Sequence, residues 1–214
     1  IKDKLDNAYE NISKEYKWEY VAKKNLDFVN KGIFLNKKHS TKLGWISSWN
    51  TKCGIASYSK NLINNFFDDV IIFAPKATNL IDIDSPLVNR TWDINMSSLS
   101  NLFDSIIEQN ISSIVIQFNF GFFDFKEFNK FILALKSSGL KIVIMLHSTA
   151  DPINNPDKSL LFLKECLSVA DRLLVHTPQD MNNLKRIGLI NNVTLFPHGV
   201  SHYPDQISNI KHRK

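Results

Sequence analysis

Two rhythms alternate along the chain: short apolar runs, and longer stretches in which apolar residues recur every three or four positions. The runs at 43–48, 70–74, 111–118, 141–146, 172–175 and 193–196 predict buried strands. Between them, Ile55, Tyr58, Ser59, Leu62, Ile63 and Phe66 share one helical face, as do Leu99, Leu102, Phe103, Ile106 and Ile107, and then Phe128, Phe131, Ile132 and Leu135. A further helix is expected over 158–169. Boundary residues agree with this segmentation: Ser97 or Ser98 can cap the second helix, Asp124 with Glu127 makes a capping-box start, and Gly139 stops the third. Thr177, Pro178 and Asp180 open the last helix, which Gly188 ends. Residues 76–95 lack clear periodicity and hold Pro86, so an irregular connection is expected there, with a short strand at 81–83 or 88–92.

Strands that alternate with helices in this way need crossover connections, and these give a parallel sheet covered on both faces. The expected fold is therefore α/β, a Rossmann-like doubly wound parallel sheet with an amino-terminal helical appendage. The appendage is the helix expected from Ile1 to about Asn30, with Leu5, Ala8, Tyr9, Ile12 and Tyr16 on one stripe and Trp18, Val21, Ala22, Leu26 and Val29 on the next. Gly32 is placed to cap it, and residues 36–40 are polar. The expected division is thus 1–36 for the appendage, 41–200 for the sheet domain, and 201–214 for a linker or tail. No internal repeat or low-complexity segment interrupts it.

Composition narrows the class. With 214 residues, 43% of them hydrophobic, the chain can bury one good core. A net charge of +5 is modest and spread through lysines. It suits a cytoplasmic protein that meets anionic substrates or the inner membrane surface as a peripheral partner. No basic helix alternates with exposed aromatics, so nucleic acid is not an expected partner, and the Lys211, His212, Arg213, Lys214 cluster reads as a solvated tail. Cys53 and Cys166 are the two cysteines, far apart and without metal-type spacing, as in a reduced compartment. No apolar stretch reaches the length of a membrane span, and the charged amino terminus does not read as a secretory signal. The opening at Ile1, without an initiating Met, reads as that of a fragment.

In a parallel sheet the residues just past each strand gather along one crevice, so chemistry is sought there. The loop 50–54 carries Cys53 and Gly54, and Gly54 either relieves a steric problem at the helix entrance or lets backbone N–H groups approach an anion. Cys53 has no base near it in sequence and reads as a small packed residue bordering the site. Asn119 and Gly121 follow the strand at 111–118. His147, followed by Ser148, ends the strand at 141–146, where it can donate to a hydroxyl, stabilise a developing charge, accept a proton, or cap its own loop. His176 precedes a strong helix cap and reads as local structure, while His198 either lines the crevice or stabilises its turn. The histidines are not spaced as metal ligands on one helix, and no metal site is expected.

Several of these stretches resemble family 4 glycosyltransferases of the GT-B type. They are Cys53-Gly54-Ile55-Ala56 with the following Tyr58 and Ser59, Phe120-Gly121, His147, the segment from Ala170-Asp171 to His176-Thr177, and Pro197-His198-Gly199-Val200. The likeness runs from about Lys42 to Val200 and implies the amino-terminal, acceptor-side domain. It implies His147 as the catalytic-site residue near donor sugar and acceptor, with Cys53, Gly54, Asn119, Gly121, Ser148 and His198 in substrate binding. It also implies a nucleotide-sugar donor as substrate, no separate cofactor or bound metal, a hydroxyl acceptor, retention of configuration, and a second GT-B domain carrying the nucleotide-binding glutamates. Ala8-Tyr9, Tyr16, Lys17-Trp18 and Val21-Ala22 are similar to the closing helices of such an enzyme, as if an upstream transferase domain ended there; the alternative is an ordinary amphipathic helix that covers a sheet edge. One departure stands out: the family segment read as glutamine, histidine, glutamate, aromatic, glycine appears here as Gln117-Phe118-Asn119-Phe120-Gly121, and Asn119 cannot act as a base. Alternatives are a stand-alone, non-catalytic nucleotide- or protein-binding module and a purely structural transferase half.

Overall fold

The computed structural model describes residues 17–31, 42–66, 69–95 and 97–200, the side chains of 25–31 excepted. Among the described residues one sheet contains β1 (Leu43–Ile46), β2 (Val70–Pro75), β3 (Val88–Trp92), β4 (Ser113–Phe118), β5 (Lys141–Leu146), β6 (Arg172–Val175) and β7 (Val193–Leu195). Its order is β3-β2-β1-β4-β5-β6-β7, and every neighbouring pair is parallel. The α-helices are α1 (Trp18–Lys31), α2 (Gly54–Ile63), α3 (Ser100–Glu108), α4 (Phe125–Ser137), α5 (Lys164–Val169) and α6 (Pro178–Arg186). The expected α/β class and doubly wound sheet are present. The start of the amino-terminal helix, Gly32, the polar stretch 36–40 and the tail 201–214 lie outside the described residues.

Local chemistry explains most element ends. Asp124 caps α4 by accepting from the Glu127 N–H at 3.0 Å, and Thr177 caps α6 by accepting from Asp180 at 3.1 Å. Gly139 and Gly188 follow their helices at φ of +83° and +84°, a conformation glycine adopts without Cβ strain. Two details differ from expectation. Ser98 accepts from the Ser100 N–H, but the residue at the cap position of α3 is Leu99. The helix expected over 158–169 is instead two 3-10 turns, Pro156–Lys158 and Leu160–Leu163, followed by the short α5. There the Asp151 carboxylate accepts from the Leu160 N–H and the Ser159 hydroxyl, and Ser159 accepts in turn from Leu161. These side chains start the helix afresh at 159, and three-residue spacing lets Leu160 and Leu163 bury together.

The connections explain how each face is covered. From β1 to β3 the chain winds one way, and from β4 to β7 it winds the other. Right-handed crossovers then put α3, α4, α5 and α6 on one face. That face holds the larger core, with Ile114, Ile116, Phe118, Ile142, Ile144 and Leu146 packed under Leu102, Phe128, Ile132, Leu167 and Leu184. The opposite face presents Leu43, Trp45, Val115, Val143, Met145 and Leu174, yet of the crossover helices only α2 contributes Tyr58 and Leu62 to it. Among the described residues α1 adds to its cover, with Val21 and Ala22 buried in the same cluster and Trp18 packed against it. A segment that sequence marks as an appendage therefore supplies a layer that the doubly wound topology leaves open.

Candidate functional site

Period-two alternation carries this second face straight into the crevice. On β4 Val115 is followed two residues later by Gln117, on β5 Met145 by His147, on β6 Leu174 by His176, and after β7 Phe196 by His198. The register matches Phe118 with Leu146, Leu146 with Val175, and Val175 with Leu195. His147 and His176 thus sit side by side one residue past the sheet, with Gln117 a step inward and His198 a step outward. Tyr58 of α2 closes over them, its ring edge-on to His147, His176 and His198 at centroid distances of 5.1, 5.5 and 5.2 Å. His176 and His198 stack at 3.8 Å.

The hydrogen bonds set the tautomers. His176 Nδ1 lies 2.8 Å from the Phe196 carbonyl, which can only accept, so the proton is on Nδ1 and Nε2 keeps its lone pair. His147 Nε2 lies 2.7 Å from Gln117 Oε1, so His147 donates from Nε2 and offers Nδ1 as an acceptor. Three atoms of the cluster are buried without any partner: Tyr58 Oη, Gln117 Nε2 and His176 Nε2. Tyr58 and His176 are each 7% exposed and Gln117 is 0% exposed. Such atoms are costly unless something satisfies them.

Burial, with repulsion from the neighbouring imidazoles His176 and His198, pushes His147 down to about 3. Burial and His198 push His176 down to about 4, against the Phe196 carbonyl and Asp180. Burial lowers His198 as well. At neutral pH the row is uncharged, and burial also raises the Tyr58 phenol above its ordinary value. No group of three His, Cys, Asp or Glu among the described residues could hold a metal ion.

No protein-family model matches the chain, and no curated relative matches it.

The remaining expected residues divide in two. Cys53 caps α2 beside Gly54, next to the point where the strand order reverses between β1 and β4. A Cβ at Gly54 would meet nothing within 4 Å, so a steric problem at the helix entrance is not what the glycine relieves. The space on the side of this Cβ is open. The Ser48 hydroxyl donates to Cys53 Sγ at 3.3 Å. Burial opposes ionisation of this thiol, but the Ser48 hydroxyl and the Ala56 and Ile55 N–H groups outweigh it and hold its pKa below the ordinary value. Burial pushes Cys166 up to about 12. Iodoacetamide at neutral pH is therefore expected to label Cys53 quickly and leave Cys166 unmodified, with Ser48→Ala slowing the Cys53 reaction; mass spectrometry of a time course checks both.

Asn119, Gly121 and Ser148 turn inward on their own loops. Asn119 Oδ1 accepts from the Gly121 N–H at 2.9 Å, and Ser148 accepts from Ala150 at 3.3 Å. His147 and His198 do meet in the crevice, whereas Cys53 and Gly54 have no hydrogen bond to that cluster. Sequence reasoning missed Gln117, Tyr58 and His176 as members. His176 was expected to serve local structure, and the signal that could have found it is the alternation itself, which places it two residues past buried Leu174.

Proposed function

We propose that this chain is the amino-terminal, acceptor-side half of a two-domain GT-B glycosyltransferase, which moves a sugar from a nucleotide-sugar donor to a hydroxyl acceptor. The observation that carries the reading is the row of uncharged hydrogen-bonding side chains at the carboxyl edge of the sheet, Gln117, His147, His176 and His198 under Tyr58. A sugar presents hydroxyls that both donate and accept, and neutral imidazole, amide and phenol groups suit them. The diphosphate of the donor suits the open helix end at Gly54, beside the reversal of strand order.

In this reading His147 orients and does not act as a base. An imidazole held neutral down to about 3 is a poor proton acceptor at pH 7, and its Nε2 proton is committed to Gln117. Its Nδ1 is left to accept from a substrate hydroxyl, fixing the ring near the reacting centre. The leaving diphosphate would be met by a second, nucleotide-binding domain, so half a cleft turns over poorly alone.

The test is sugar transfer from a panel of nucleotide sugars, measured on the polypeptide encoded by the native gene and on this chain alone. The native polypeptide is expected to transfer, His147→Ala to lose about a hundredfold in kcat/KM, and the isolated chain to stay at background. Robust turnover by the isolated chain refutes the half-site reading. An absence of transfer by the native polypeptide favours a non-catalytic binding module, a reading that the Asn119 side chain supports by folding back on Gly121.

A further inference from the structure

The connection from β2 to β3 departs from the doubly wound pattern. β1 passes to β2 through α2 on the second face, and β3 continues in the same direction, so a right-handed crossover helix from β2 to β3 would lie beside α2 on that face. Residues 76–87 make the connection without a helix. Beside α2 there is instead a groove of about 450 Å³, lined by Ile63 and Phe66 from α2 and the turn after it, by Ile83 and Leu87 from the connection, and by Ile72 from β2 beneath. Trp49 packs on Ile72 there, in a small cluster of its own with Ala74. Leu80, Ile81, Ile83 and Leu87 of this one connection are exposed, Ile83 at 91%. Large apolar side chains grouped in this way around a groove mark an interaction surface.

Backbone chemistry limits what can lie in the groove. β2 is paired with β1 on one side and with β3 on the other, and α2 bonds within itself, so the groove offers an incoming chain few free backbone partners. A segment laid there has to satisfy its own N–H and C=O groups, as a helix does and an extended strand does not. Charge adds a second condition. The protein carries +5 overall, yet the charged residues lining the groove are Asp69, Asp82 and Lys60. Lys60 lies 3.9 Å from Asp82, and Asp69 has no ion pair among the described residues. This locally acidic place on a basic protein suits Lys or Arg and opposes an anionic lipid surface. We propose that the groove between α2 and residues 82–87 docks an amphipathic helix of a separate protein, with its apolar stripe toward Ile72 and a basic residue near Asp69. No lining residue belongs to the histidine row, so docking here stands or falls independently of sugar transfer.

The probe is a capped peptide of leucine and lysine patterned as one amphipathic helix, with a counterpart in which every lysine is glutamate. The chain, labelled with 13C at its isoleucine methyls, is titrated with each and followed by NMR. The lysine peptide is expected to give saturable shifts at Ile63, Ile72 and Ile83 despite the like overall charge of the two molecules, and the glutamate peptide to bind much more weakly. Ile153 and Ile190, exposed elsewhere on the surface, should stay unmoved. Ile83→Ser changes a side chain that is already in solvent, so the fold is kept, and it should weaken binding about tenfold. Asp69→Lys should weaken it severalfold. The proposal is overturned if the three methyls do not shift, if Ile153 and Ile190 shift equally, or if the glutamate peptide binds as well. A dimer seen by light scattering and dissolved by Ile83→Ser overturns it too, because the groove would then be filled by a second copy of this chain.

Discussion

Removing residues 1–31 is expected to destabilise the sheet domain by on the order of 5 kcal/mol or more, enough to unfold a marginal domain. The cause is topological. Val115, Val143, Met145 and Leu174 are buried, and they lie on the face that the crossover helices after β3 do not cover. Each buried side chain of this size is stabilised by roughly 1.5–3 kcal/mol relative to exposure, so uncovering even part of the group outweighs the entropy saved by the shorter chain. The truncated chain would also present a broad apolar surface and is expected to associate. Urea denaturation with size-exclusion chromatography checks this. Ala22→Asp is the point version: Ala22 is 0% exposed, and a carboxylate there has no described cationic partner in its cluster. A truncated chain as stable and monomeric as the full one would show that α1 is a separable appendage.

Most of the sheet was legible because β1, β2, β4, β5 and β6 are short apolar runs between turn residues, and burial on both faces erases any competing helical period. The starts of α4 and α6 were legible for a different reason: Asp124 and Thr177 each bond the N–H three residues on, which is local chemistry. Where sequence reasoning left a choice, the deciding interaction was distant. The strand at 88–92 is held by Arg90, whose guanidinium pairs with Asp84 and donates to the Pro75 and Trp49 carbonyls, tying β3 to the ends of β1 and β2. Nothing within a window around Arg90 foretells Trp49 as a partner. The 3-10 turns before α5 depend likewise on Asp151, outside any helical window.

The site was half legible. His147 stood out because it follows a long apolar run, and His198 because its turn resembles a known one. Gln117 and His176 were hidden because each was weighed within its own loop, where Gln117 closes a strand and His176 precedes a cap. Counting by twos along β4, β5 and β6 puts both on the face of Val115, Met145 and Leu174, and only the register places them as neighbours. Tyr58 looked like one more apolar position of α2, and its ring does pack as one. Its hydroxyl, however, is buried without a partner, which no helical window foretells.

Acidification should then act on this cluster before it acts on the carboxylates. In the unfolded chain an imidazole titrates near about 6.5, whereas His176 in the fold is pushed down to about 4 by burial and His198, and His147 to about 3 by burial, His176 and His198. Between those limits the unfolded state binds more protons, so stability is fully present above pH 6.5 and is lost as the pH falls toward 4. At pH 5 the expected loss is about 2 kcal/mol from His176, and less from the partly exposed His147, whose shift solvent screens. The lowered carboxylates Asp84, Asp171 and Asp180 contribute only further down, below their ordinary value of 3.8. Urea midpoints taken from pH 7.5 to 4.5 should therefore decline already at pH 6, and His176→Phe should flatten that decline by close to one proton. A stability flat from pH 7.5 to 5 would mean that the imidazoles titrate freely, and that the row is wetter and more open than its buried, stacked geometry describes.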